Sequence, residues 1–305
     1  MRHAVPARAT YDYDRAISVI PMPISEDNLG AALRDCALDQ LAQADLQLAR
    51  AGAWQQSGVH SARKAIARLR ACVELLHKSP HAAHALEARL RTFAHGLSPL
   101  RDMQAAVATA KSLRDKDELS SDWQECARTL KQRRDRALGA ALADDPGFAA
   151  HRAQLAEVRS TLATIAWTRL LASDLQRALK RARKRVQRAH EPGRASTAQE
   201  PRHRLRRRGR RLLLQIELLR EVARDGTRPR AAATAHEALH EILGKSLARR
   251  QRKKVIDALG REQDLRVLRR TLPARATNAS MRRVISALRR ELDTAIAATN
   301  ERLSD

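Results

Sequence analysis

An all-α fold is expected for this 305-residue chain on three grounds. Ala, Leu and Arg dominate the composition, and all three favour helix. Apolar residues recur three and four positions apart from Ser25 onward, the period of a helix with one buried face. Only seven residues are aromatic, and both tyrosines, Tyr11 and Tyr13, lie near the start, so β-sandwiches, barrels and base-stacking sheets are poorly supplied.

The helices follow in order from the breaks between them. Residues 1–25 carry Pro6, Pro21 and Pro23 without sustained periodicity and read as a loose N-terminal arm. Residues 26–305 read as one helical region, punctuated at Gly52 to Gly58, Ser79-Pro80, Gly96 to Pro99, Asp144 to Gly147, Glu191 to Pro201, Asp225 to Pro229, and Gly260. Ten or eleven helices are expected, with no convincing strand. Glu191 to Glu200 is the most loop-like interior stretch.

Charge narrows the partner. Lys and Arg number 59 against 34 Asp and Glu, a net +25 on a chain that is 43% hydrophobic. Only ten of the cations are Lys; the other 49 are Arg, whose planar fork matches phosphate oxygens two at a time. A high-GC genome raises the Arg-to-Lys ratio but does not account for the unbalanced +25. Fourteen Lys or Arg between Lys180 and Arg211 face only Glu191 and Glu200, so nearly half the excess charge sits in 32 residues.

Cys36, Cys72 and Cys126 are widely spaced, with no C-x-x-C, which suggests neither a disulfide framework nor a zinc cluster and fits a reducing cytosol. Ala16 to Ile24, interrupted by Ser18, Pro21 and Pro23, is wrong for a signal peptide. No apolar run approaches the length of a membrane span.

The chain also repeats itself. Val59-His60-Ser61-Ala62-Arg63-Lys64-Ala65-Ile66-Ala67-Arg68-Leu69-Arg70, running on to Glu74-Leu75-Leu76, matches Arg202 to Leu213, running on to Glu217-Leu218-Leu219. His, basic residues at +3, +4 and +8, and Glu-Leu-Leu from +14 coincide. Leu97-Ser98-Pro99-Leu100-Arg101-Asp102 and Leu259-Gly260-Arg261-Glu262-Gln263-Asp264 form a second shared element. Two related halves follow, 26–145 and 147–305.

On a helical wheel Val59, Ala62, Ile66, Leu69, Val73 and Leu76 share one stripe and form a candidate core. His60, Arg63, Lys64 and Glu74 point the other way, flanked by Arg68 and Arg70. In the second copy Leu205, Leu212, Ile216 and Leu219 are the buried stripe, opposite His203, Arg206, Arg207 and Arg210, with Arg211 on the flank. A solvated helix face normally mixes charges to gain i,i+4 pairs, yet positions 202–211 hold seven arginines and no acid. A polyanionic partner would compensate that crowding. Glu74 and Glu217 suit either an arginine-orienting role or a local pair.

These motifs, at 59–70, 97–102, 203–219 and 259–264, resemble the CHAD family, the conserved histidine α-helical domain, over nearly everything after residue 25. The resemblance implies two pseudo-symmetric helical bundles, related by the internal repeat, around a basic central cavity that binds inorganic polyphosphate, at polyphosphate granules in the cytoplasm. It implies that His60, Arg63, Lys64 and Arg68, with His203, Arg206, Arg207, Arg210 and Arg211, line the polyanion path. The chain departs from the family pattern at Ala67, where another Arg is common, and at Leu213 and Leu214, which replace an Arg-Tyr pair. Lys180, Arg181, Lys184, Arg249, Arg250 and Lys253 either extend the path or face solvent.

No cofactor, metal or catalytic residue is expected. His236-Glu237-Ala238-Leu239-His240 spells the zinc-protease H-E-x-x-H, but Glu241 is charged where those enzymes prefer an uncharged residue, and only remote Glu262 offers a third ligand. Gly244-Lys245-Ser246 resembles a P-loop tail, but Leu239 stands at the first glycine. His77, His81 and His84 straddle Pro80 and read as a helix junction. The triphosphate tunnel enzyme often fused to CHAD needs a Glu-x-Glu-x-Lys strand, and none occurs. Asp102 and Asp264, the only matched acids, suit pairing with Arg or helix capping. Nucleic acid is the alternative partner, drawn by backbone charge at low salt.

Overall fold

The computed structural model describes residues 29–76, 80–114, 119–224, 246–276 and 278–304, and among them the fold is all helical. The helices are α1 (Leu29–Leu48), α2 (Gln55–Val73), α3 (Pro80–Gly96), α4 (Ser98–Arg114), α5 (Ser120–Asp144), α6 (Ala149–Ala163), α7 (Ala172–Ala195), α8 (Gln199–Arg224), α9 (Ser246–Thr271) and α10 (Ala279–Ser304). Three short 3-10 turns, Gly52–Trp54, Pro146–Phe148 and Trp167–Arg169, join some of them. The N-terminal arm, His77, the break at 225–229, the His236–His240 motif and Gly244-Lys245 lie outside the described residues, as do the side chains of His81, Arg249 and Arg250.

Both expected stripes are buried. Val59, Ala62, Ile66, Leu69, Val73 and Leu76 of the first copy and Leu205, Leu212, Ile216 and Leu219 of the second all lie in the core. In α1 the same logic buries Leu33, Ala37, Leu41, Ala44 and Leu48 at helical spacing.

Helix contacts arrange these elements around the site. α2, α4, α9 and α8 touch one another in a closed circuit, α2 on α4, α4 on α9, α9 on α8 and α8 on α2. Each is backed by a neighbour outside the circuit: α1 on α2, α5 on α4, α10 on α9 and α7 on α8. Gly209 permits the α8–α9 contact, because a Cβ there would sit 2.0 Å from Ile256 Cδ1.

The buried clusters do not divide between residues 145 and 147. One draws on α1 to α3 and α6 to α8; another joins α4 and α5 to α9 and α10; a third, small one holds Ala189, Leu205, Ile256, Leu259 and Leu303. Both larger clusters therefore mix residues from the two sequence halves.

Three breaks differ from expectation. Glu191 to Glu200 is mostly helix: α7 runs to Ala195 through Pro192 and Gly193, and α8 begins at Gln199. Packing overrides local propensity there, since Gly193 is buried against Leu205, whose Cδ2 would lie 2.9 Å from an added Cβ. Gly260 does not break α9, which runs on to Thr271; buried neighbours Leu259 and Leu265 hold the helix through it. Conversely, the chain leaves helix between Ala163 and Ala172 without Gly or Pro. Trp167 causes that turn: it is buried, and its indole N–H donates to the Leu162 carbonyl at 2.9 Å. Asp174 then accepts the Leu171 N–H at 3.1 Å and caps α7.

Candidate functional site

A cavity of about 890 Å3 opens among α2, α3, α4, α7, α8 and α9. Twelve of its lining side chains are Arg or Lys, against Glu74, Glu87 and Asp102, and three are His. Two helix faces supply most of the charge. On α8, His203, Arg206, Arg207 and Arg210 recur at helical spacing opposite the core stripe, and on α2 His60, Arg63 and Lys64 do the same.

Eight of the nine expected residues line this cavity: His60, Arg63, Lys64, His203, Arg206, Arg207, Arg210 and Arg211. Arg68 does not, and its guanidinium is bonded to Glu221 on α8. Arg70, Arg91, Arg101, Arg185, Arg208 and Arg270 line the cavity without having been on the expected path. Arg70 and Arg101 were visible as a flank residue and within the shared Leu-x-x-Leu-Arg-Asp element. Arg91, Arg185 and Arg270 carry no such signal, because they reach the cavity from α3, α7 and α9. Of the outlying cations, exposed Lys180 and Lys184 do not line it, nor does Lys253, which pairs with Asp257 at 2.6 Å.

Hydrogen bonds divide the arginines into two groups. Arg63 donates to the Ala94 carbonyl and, at 3.1 Å, to Ser98 Oγ, which fixes it against α3 and α4. Arg211 reaches Glu74 at 3.2 Å, Glu87 at 3.5 Å and the Arg70 carbonyl at 3.1 Å. Glu74 also takes Arg185, and Glu87 takes Arg70 at 2.5 Å. Glu74 thus orients arginines from α7 and α8 rather than forming a local pair. Lys64, Arg206, Arg207, Arg208 and Arg210 make no ion pair among the described residues.

The matched acids Asp102 and Asp264 both pair with Arg101, at 3.0 and 3.3 Å, so one guanidinium joins α4 to α9. Outside the cavity lining, Arg202, itself 2% exposed, is bonded to buried Glu262, to Asn300 and, at 2.9 Å, to the Ser196 carbonyl.

Both histidines are held below the ordinary imidazole value of 6.5. For His60 the causes are burial first, then the charges of Lys64, Arg101, Arg63 and Arg210. For His203 burial leads again, followed by Arg207 and Arg206, while Glu200 and a hydrogen bond with Gln263 oppose. His203 Nδ1 is buried without a hydrogen-bond partner. Burial also lowers the Arg206 and Arg63 guanidinium values; Asp264 opposes this at Arg206. The site therefore favours neutral imidazoles until an anion enters.

Among the described residues no group of three or more His, Cys, Asp and Glu side chains gathers as a metal site, and no helix is long and apolar enough to cross a membrane.

Fold and site together define an all-helical protein whose cavity is lined by arginine and suited to anions. The chain belongs to the CHAD domain family, which matches residues 31–246. That match stops short of the element at 259–264. CHAD domains are associated with the binding of inorganic polyphosphate. No curated protein and no solved structure matches the chain.

Proposed function

We propose that this protein binds inorganic polyphosphate in the arginine-lined cavity and does not turn it over. One observation carries the reading: Lys64, Arg206, Arg207, Arg208 and Arg210 converge on one cavity and make no ion pair among the described residues. Such crowding is unfavourable in the empty protein and is relieved by a polyanion. A thread of identical phosphates needs many forked cations rather than one shaped pocket, which is what the cavity offers.

The internal repeat fits the same reading. In the two halves, 26–145 and 147–305, α2 would correspond to α8 and α4 to α9, and these four helices make the closed circuit around the cavity. A pseudo-twofold arrangement would give a chain with no chemical polarity two similar walls to run between. A non-enzymatic role is favoured by Arg101, whose guanidinium bonds Oδ1 of both Asp102 and Asp264 and so sets a positive charge between the two matched acids. Residence at polyphosphate granules in the cytoplasm belongs to this proposal.

Titration of the purified protein with long-chain polyphosphate at near-physiological salt, with duplex DNA as competitor, tests it. Tight binding that DNA does not displace is the expected result. Equal or stronger binding to DNA would replace polyphosphate by nucleic acid as the partner, held through backbone charge alone.

A further inference from the structure

A second cavity of about 190 Å3 adjoins the first. The two share three lining residues, Glu74, Glu87 and Arg185. Glu74 holds Arg185 and Arg211, and Glu87 holds Arg70 and Arg211, so each carboxylate engages two guanidinium groups as a bound phosphate would. Burial alone would raise the Glu87 carboxyl, but the Arg70 hydrogen bond and the Arg211 charge outweigh it and hold the group below the usual range. Arg181 lines the second cavity and makes no ion pair among the described residues.

We infer that Glu74 and Glu87 are a built-in counter-anion that ends the phosphate path and keeps a bound chain from Arg181 and the second cavity. This inference rests on the polyphosphate reading above. Two fixed carboxylates satisfy Arg70, Arg185 and Arg211 before any ligand arrives. They leave that cluster a single net positive charge in place of three, so the next phosphate is held far more weakly there than at the open arginines. A chain entering from the Lys64 and Arg210 side therefore stops at the carboxylates. The number of phosphates engaged is set by where these acids stand, not by the number of arginines in the cavity wall.

The test compares wild type, Glu74→Gln/Glu87→Gln, Arg181→Ala, and the triple variant, titrated with long-chain polyphosphate at several salt concentrations. Glutamine keeps the shape and one acceptor oxygen but removes the charge. In the double variant affinity rises about tenfold, and the slope of log affinity against log salt steepens by about 1 to 2, as further cations release counterions. Arg181→Ala leaves wild-type binding unchanged yet removes part of that gain. Should the double variant lose its helical circular dichroism, Glu87→Gln alone, which keeps both Glu74 pairs, carries the test with about half the slope change. Wild-type affinity and slope in the glutamine variants overturn the end-stop and leave the polyphosphate reading standing. A wild-type protein that binds no polyphosphate overturns both.

Discussion

The packed pair α2 and α8 carries the same residue types along its basic surface and uses them differently. One set, Lys64, Arg206, Arg207 and Arg210, faces the cavity open, with no ion pair among the described residues. The other set is tied: Arg211, next to Arg210 in the chain, crosses to Glu74 and Glu87, and Arg68 crosses to Glu221. Arg68 and Arg211 occupy matching places in the sequence repeat, and both act as straps between α2 and α8. An arginine on a basic face is thus a ligand group or a fastener according to whether a carboxylate stands across the interface. Arg63 and Arg206, which the repeat also matches, are not equivalent either. Arg63 is pinned by Ser98 and the Ala94 carbonyl, whereas Gly260, which the repeat aligns with Ser98, offers Arg206 no hydroxyl.

The strongest way to separate the two sets is to remove the open one. Replacing Arg206, Arg207 and Arg210 with Ala removes three charge-assisted contacts. At about 1.5 kcal/mol each, this weakens polyphosphate binding about a thousandfold. Calorimetric titration reads the loss, and an unchanged affinity would end the distinction.

The next effect belongs to a fastener in its fully buried form. Glu262→Ala strands Arg202 and Arg266, one of them 2% exposed, and costs about 3 to 5 kcal/mol of stability by urea denaturation. Replacing Glu262 and Arg202 together with apolar residues recovers most of that cost, because the penalty comes from the unpaired charge.

The half-buried straps have smaller effects. Arg211→Ala lowers stability by about 1 kcal/mol, and Arg68→Ala by less, since partly solvated pairs contribute little. Affinity falls less than about tenfold in the first and stays unchanged in the second. If either variant matched the Arg206, Arg207 and Arg210 triple in binding, the strap assignment would be wrong.

The smallest effect is a pH dependence beside the open cations. The folded protein holds His60 and His203 below 6.5, whereas the unfolded chain protonates them near that value. Between the folded values and 6.5 the unfolded state binds more protons, so the empty protein loses stability as pH falls through that window. Bound phosphate favours the cationic imidazoles, so the complex gains affinity over the same range. Melting temperatures with and without polyphosphate from about pH 7.5 to 5.5 should diverge, and His60→Gln with His203→Gln should remove the divergence.

Helix type and the buried stripes of α2 and α8 were legible from spacing alone, as the burial of Ile66, Leu69, Leu212 and Ile216 shows. So were the cationic faces that carry seven of the cavity-lining residues, because positions three and four apart on one helix share a face in any fold, while their meeting in one cavity was implied only by the CHAD resemblance. The turn at Trp167 and the helical course of Glu191 to Ala195 were not, since one depends on a buried indole and the other on Leu205 packing over Gly193.

Periodicity, composition and the repeat by themselves determined an all-helical chain with cationic faces, because a helix's own geometry places its side chains. Tertiary structure alone decided which cations are neutralised. Glu74 reaches Arg185 across 111 positions and Arg211 across 137, and Arg68 reaches Glu221 across 153. Such pairings arise only when separate helices are packed together, and electrostatic partnership depends on distance in space rather than along the chain.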